Sequence, residues 1–385
     1  MAKALNNRAA WALVGTAIAL AFAAQPLAAC PFCTALKPSL SQLRDRADVV
    51  ALAEIISTSD KSSDVRLHKV LKGREQLPAK STLDCELDVA VRPGGLVLLF
   101  GEAGGEPQSD RLAWHAVAVD ETSYGYFARA PGFATPVRER LAYFARYLEH
   151  ADPLVAEDAY LEFGHTPFAD VAAAADMLPA AQIRAWLVDP RVPPSRKGFY
   201  GLAIALCAKP HERRATADFL RTQIVAPADD FRAGFDGVLG GFLLLAADDG
   251  LQLIEERYLA NPLAADGDVR HALTALRFYH EYGREISPAR LAQALAHLLN
   301  RPEFAEPAIV DLARWQAWNL LDRVVAVYSL PASTAGTRRA VIGYLLACPQ
   351  EPARKALARL RDADPRGVAA AEQLLSKTSS VPVSQ

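Results

Sequence analysis

The chain of 385 residues is poor in the residues that usually carry chemistry: it has 5 cysteines, 8 histidines and 2 methionines. Its 42 basic and 44 acidic residues nearly cancel, and no basic stripe runs along any segment, which excludes a surface built to hold nucleic-acid phosphates. A single Cys-x-x-Cys leaves no second pair to complete a zinc site. The sequence contains no Gly-x-Ser-x-Gly, no phosphate loop and no dinucleotide fingerprint. His211-Glu212 and His280-Glu281 begin like a zinc-protease helix, but Ala215 and Arg284 stand where the second histidine is needed. Asp266-Gly267-Asp268 lacks the further ligands of a calcium loop and reads as a turn in which Asp268 caps the next helix. These absences point away from an enzyme and away from any cofactor or metal.

What is present begins at the N-terminus. Lys3 and Arg8 precede an uncharged, mostly apolar run from Ala9 to Ala24, too short for a bilayer span of roughly 20 residues and suited to an export signal. Small residues Ala28 and Ala29 then favour cleavage, so residues 1–29 read as a signal peptide and the mature chain as extracytoplasmic. No later run reads as long and apolar enough to cross a membrane. Leu27-Ala28-Ala29-Cys30 resembles the bacterial lipobox; that resemblance implies a lipid on Cys30 and membrane attachment through it, the alternative being ordinary cleavage to a soluble protein.

Cys30-Pro31-Phe32-Cys33 has dithiol spacing, but no strand precedes it and Lys37-Pro38 interrupts any helix after it. In an oxidising compartment Cys30, Cys33 and Cys85 read as disulfide candidates whose pairing stays open. Cys207 and Cys348 each end an apolar helical run, where a small thiol packs well.

After the segment 30–47, residues 48–135 carry an apolar period near two. Val49–Ile56 reads as a buried strand, Val65 and Leu67 lie on a second, and Leu83, Cys85, Leu87, Val89 and Val91 alternate with polar neighbours on a third. Pro93-Gly94-Gly95 marks a turn before a strand at Leu96–Phe100, and Trp114–Val119 and Tyr124–Ala130 add two more. The expectation is a small antiparallel barrel or sandwich. With a mature N-terminus starting at cysteine it resembles the OB-like netrin/TIMP domain, although that family begins Cys-x-Cys. The resemblance implies at most protease inhibition through the Cys30 amine.

Residues 136–152 read as a linking helix, and 153–376 as an all-helical array closed by a disordered tail at 377–385. A loose motif recurs in the array. It places a charged residue, then small and apolar residues, at Arg196-x-Gly198-Phe199-x-Gly201-Leu202 and at Arg232-x-Gly234-Phe235-x-Gly237-Val238. Further copies are Arg270-x-Ala272-Leu273-x-Ala275-Leu276 and Arg338-x-Ala340-Val341-x-Gly343-Tyr344, with a degenerate one starting at Glu306. Small residues three apart on one helix face let a neighbouring helix approach closely. A period of about 36 residues on a helical background indicates stacked helix pairs.

The array resembles the HEAT-like α-solenoids, and the whole arrangement resembles bacterial extracytoplasmic proteins that have no assigned activity. The resemblance implies a non-catalytic scaffold that binds a protein or peptide partner on the solenoid's extended concave surface. The alternative is a thiol–disulfide protein using Cys30 and Cys33. Two further groupings read as structural. Trp315 and Trp318 share a helix face as core, and Asp158, Tyr160, Glu162 and His165 form a network where the β domain meets the array. Partner identity and oligomeric state are not encoded legibly.

Overall fold

The structure, a computed structural model, describes Phe32 and residues 37–59, 62–79, 81–87, 89, 91–103, 112–227 and 232–379. The export signal, Cys30, Cys33 and residues 380–385 lie outside the described residues. A curled five-stranded antiparallel sheet, half a barrel, is followed by an all-helical region. The chain forms two compact units, Met1–Pro179 and Ala180–Gln385.

In the first unit, Ser39 caps helix α1 (Leu40–Arg46) by accepting from the Gln42 amide, while Gln42 returns a bond to the Ser39 amide. Such a capping box is worth about 1 kcal/mol. The sheet then runs β1 (Val49–Thr58), β2 (Ser63–Lys72), β3 (Thr82–Cys85), β4 (Leu96–Ala103) and β5 (Leu112–Val119), in spatial order β3-β2-β1-β4-β5. Register shifts along β1–β2, at Val50/Ala51, Leu52/Ala53 and Ile55/Ser57, supply the local twist that curls the sheet. Its inner face holds Ala53, Ile55, Val65, Cys85, Val97, Leu99 and Ala116 as an apolar cluster, against which Leu87, Val89 and Val91 pack. β3 ends at Cys85, so the alternating residues after it complete the cluster without extending the strand.

The strand expected at Tyr124–Ala130 is instead helix α2 (Glu121–Arg129). Asp120 and Ser123 form a second capping box, and Ser123, Tyr126 and Phe127 share the buried face, which is helical spacing. Helices α3 (Val137–Ala145), α4 (Pro153–His165) and α5 (Phe168–Ala173) complete the unit. The region expected to link β domain and array therefore belongs to the same compact unit as the sheet.

The second unit begins with α6 (Ala180–Val188) and then repeats a helix pair. The motif-bearing helices are α7 (Pro194–Cys207), α9 (Phe235–Ile254), α10 (Asp266–Tyr282), α12 (Pro302–Arg314) and α14 (Ala335–Ala347). Between and after them lie α8 (Arg213–Val225), α11 (Pro288–Leu295), α13 (Leu321–Tyr328), α15 (Glu351–Ala363) and α16 (Pro365–Ser379). α9 supplies both members of its own pair. It breaks at Ala247, whose φ of 46° and ψ of −123° are far from helical, and resumes through a π-helical turn at Glu255–Leu259. The Arg213 guanidinium donates to the Leu244 carbonyl beside this break at 2.8 Å.

Two sequence expectations are corrected here. Phe235–Leu259 is, by length and composition, long and apolar enough to cross a membrane; yet it is broken at Ala247 and 61% of its apolar window is buried, as in a core helix. Trp315 and Trp318 do not share a helix face. α12 ends at Arg314, Gln316 takes a φ of 55°, and Trp318 starts a separate 3-10 turn.

Candidate functional site

The stacking of the second unit is visible in two kinds of contact. Between α7 and α9 the backbones touch. A Cβ on Gly237 would lie 1.9 Å from the Gly198 carbonyl oxygen, and one on Gly201 would lie 2.7 Å from the Val238 backbone. Gly234, with a φ of +79°, opens α9 directly against Gly198. Ala272 and Ala275 on α10 are fully buried. Gly343 differs, since a Cβ there would meet only the Leu375 side chain at 3.7 Å, an ordinary contact.

From α9 onward, polar pairs connect residues 33 to 36 apart in sequence, the repeat period itself. Arg232 meets Asp268 at 2.7 Å, Arg277 meets Asp311 at 2.6 Å and Arg339 meets Glu306 at 3.5 Å. Arg301 reaches Asp266, Arg290 reaches Glu255, and the Tyr328 hydroxyl donates to Asp364. Asp268 thus lies in the first turn of α10 paired to Arg232, and the residue at the cap position is Ala265. His280 stacks flat on Trp315, with ring centroids 4.3 Å apart. Burial lowers the His280 pKa, against the opposing pull of Asp311 and Glu281.

The polar cluster around Asp158 lies inside the first unit. Asp158 and Glu162, one turn apart on α4, are 3% and 1% exposed. The Leu40 amide donates to Asp158 Oδ1 at 2.6 Å, and the Tyr126 hydroxyl donates to Oδ2 at 2.7 Å. The Ser39 hydroxyl donates to Glu162 Oε1 at 2.6 Å, and Arg140 approaches Oε2 at 3.5 Å. His165 is 2.9 Å from the Lys37 carbonyl. α4 therefore grips the start of α1 through two carboxyl groups. Burial pushes the Asp158 carboxyl up to about 7, and the bonds from Leu40 and Tyr126 only partly offset it. Burial, reinforced by Asp158, also raises the Tyr126 phenol.

Asp158 also borders a cavity of about 470 Å³. Phe100 and Val117 of the sheet face Leu40 and Leu43 of α1 and Leu154 and Leu161 of α4 across it. Its polar groups are Lys37, Glu102, His115, Glu157 and Asp158. Trp114 lies on the opposite face of the sheet, over Gly101, where the absence of a Cβ, which would sit 2.8 Å from the ring, makes room for it. Sequence reading found Asp158, Glu162 and His165, but not Glu102, His115 or the Phe100 wall, which come from strands read only as core.

Of the three disulfide candidates, Cys30 and Cys33 lie outside the described residues. Cys85 carries a free thiol, 2% exposed, packed as a small apolar group among Ala53, Ile55 and Val97. Burial pushes this thiol up to about 12. Among the described residues, no three His, Cys, Asp or Glu side chains are grouped to hold a metal ion. No family model matches the chain, and no curated protein matches it either.

Proposed function

We propose that the chain is an exported, non-catalytic scaffold of the bacterial cell envelope, whose HEAT-like second unit binds a protein or peptide partner. The repeat contacts are what support this reading. Pairs one period apart fasten successive helices. The exposed Arg270 and Arg277 on α10, Val310 and Arg314 on α12, and Arg338 and Leu346 on α14 make up the outward stripe of this reading, with Thr274 between the first two. Such a surface, extended and built from repeated units, suits an elongated partner. The first unit, OB/NTR-like in this reading, carries the N-terminal segment with Cys30, the lipid attachment point if the Leu27–Cys30 lipobox is used.

The test places a photo-crosslinking residue at Thr274, Val310 or Leu346 in the native host, with Glu75 as control position. One adduct of common mass at the stripe positions, lost on Arg314→Glu, is expected. Adducts equally frequent at Glu75, or unaffected by Arg314→Glu, would overturn the reading. Intact mass measurement of the mature protein decides between a lipidated and a free Cys30.

A second reading keeps one observation of its own. With Cys85 carrying a free thiol, Cys30 and Cys33 have each other as partner, as a Cys-Pro-Phe-Cys thiol–disulfide protein needs. Reversible opening of that bridge by mild reductant would favour it over the scaffold.

A further inference from the structure

The cavity of the first unit plays no part in the scaffold reading, yet it has the dimensions of a ligand site. Small-molecule sites usually measure about 300–1,000 Å³ and pair apolar walls with a few placed polar groups. This one measures about 470 Å³. Its walls are Phe100 and Val117 on the sheet side and aliphatic on the helix side, through Leu43 and Leu161.

The polar groups on it are unbalanced in sign. Among the described residues, three carboxyl groups, from Glu102, Glu157 and Asp158, reach the cavity, against one lysine and one histidine. Lys37 pairs with Glu157 at 3.6 Å, which removes both from the balance. Glu102 has no ion-pair partner among the described residues. Asp158 is fixed in place by the Leu40 amide and the Tyr126 hydroxyl, one on each oxygen. A carboxylate oxygen accepts two bonds, so each keeps a lone pair for a further donor. An anion would meet these carboxyl groups with only a paired lysine to offset them. A neutral apolar ligand would leave Glu102 without a counter-charge. A cation beside Phe100 gains both the carboxylates and the face of an aromatic ring.

We propose that this cavity is a binding site for a small organic amine with an aryl or alkyl body, its ammonium held by Glu102 and Asp158 and its body between the sheet and helices α1 and α4. The inference is independent of what the second unit binds.

The experiment uses the full mature chain and three probes of one shape: phenethylamine, phenethyl alcohol and 3-phenylpropionate. Binding is measured by calorimetry at about pH 8, above the Asp158 titration. The amine is expected to bind at least about tenfold more tightly than the alcohol, with the acid weakest. Glu102→Gln, at an exposed position, should weaken the amine by about tenfold and leave the alcohol unchanged. Ala113→Phe, also at an exposed position, fills the cavity from β5 and should abolish binding of the amine while the melting temperature stays near that of the parent. Equal affinity for amine and alcohol, tighter binding of the acid, no binding of the amine below about 1 mM, or full amine binding by Ala113→Phe would each overturn the proposal.

Discussion

Replacing Asp158 by asparagine should remove a pH dependence from the first unit. Burial holds the folded carboxyl at about 7, against 3.8 in the unfolded chain. Between those values the folded protein keeps a proton that the unfolded chain gives up. Stability from this group is therefore complete below about pH 4 and is lost as pH rises toward 7 and beyond. A rise of about three pH units corresponds to about 4 kcal/mol at most, since one unit is about 1.4 kcal/mol. The charged groups around Asp158 all bear on this value: Glu162 on its own helix raises it and Arg44 of α1 lowers it, while the α2 partner is the Tyr126 hydroxyl. The assay is amide hydrogen exchange of residues 37–46 and 153–165 in parent and Asp158→Asn, from about pH 5 to about pH 8. Subtracting the variant cancels the other titrating groups and the intrinsic pH dependence of exchange. The parent should lose local stability relative to the variant by a few kcal/mol over that range. A parent-minus-variant difference that stays flat with pH would refute the reasoning.

Three further outcomes follow from the packing. Gly237→Ala should cost about 3 kcal/mol in urea unfolding, because its Cβ has no room against the Gly198 carbonyl, whereas Gly343→Ala should gain up to about 1 kcal/mol from helix propensity alone. Equal effects would refute the backbone contact between α7 and α9. Arg277→Ala should cost about 2 kcal/mol by stranding the Asp311 carboxylate, which is 3% exposed, and adding Asp311→Asn should recover most of it in a double-mutant cycle. Additive single effects would show that the pair is not coupled. Cys85 should alkylate about a thousandfold more slowly than an ordinary thiol at about pH 8 in the native protein, and readily after unfolding. Rapid native alkylation would place the thiol outside the apolar cluster.

The sheet was legible because β2, β3 and β5 carry period-two patterns, and β1 and β4 are short continuous apolar runs. Tyr124–Ala130 was misread because its aromatics also alternate; the deciding signal was Asp120 with Ser123, a capping box three residues apart. The repeat was legible from its small residues, since glycine pairs at fixed spacing have few other uses in helices. The break at Gln316 was not legible, because nothing in Arg314–Trp318 marks a left-handed residue. The cavity was the least legible feature. Its walls come from two strands and two helices, and Leu40 bonds to Asp158 across 118 positions of sequence. Local pattern sees each wall only as an apolar face.

The repeat motif does not have one physical meaning along the array. Its small residues matter most at the first junction, where Gly198 and Gly201 on α7 and Gly234 and Gly237 on α9 bring main chains into contact. At Gly343 the same motif position faces only the Leu375 side chain, and the nearest fastening is the Arg339–Glu306 pair. Between these ends, the charged first residue of the motif takes over, as when Arg232 reaches one period forward to Asp268. Close main-chain packing tolerates no side-chain growth but is indifferent to salt. The Arg339–Glu306 pair, exposed at both ends, tolerates substitution and weakens as salt screens it, whereas Arg277–Asp311 has one buried end and does not. The array is therefore joined by main-chain shape at α7–α9, and beyond it by apolar packing to which polar pairs one period apart are added.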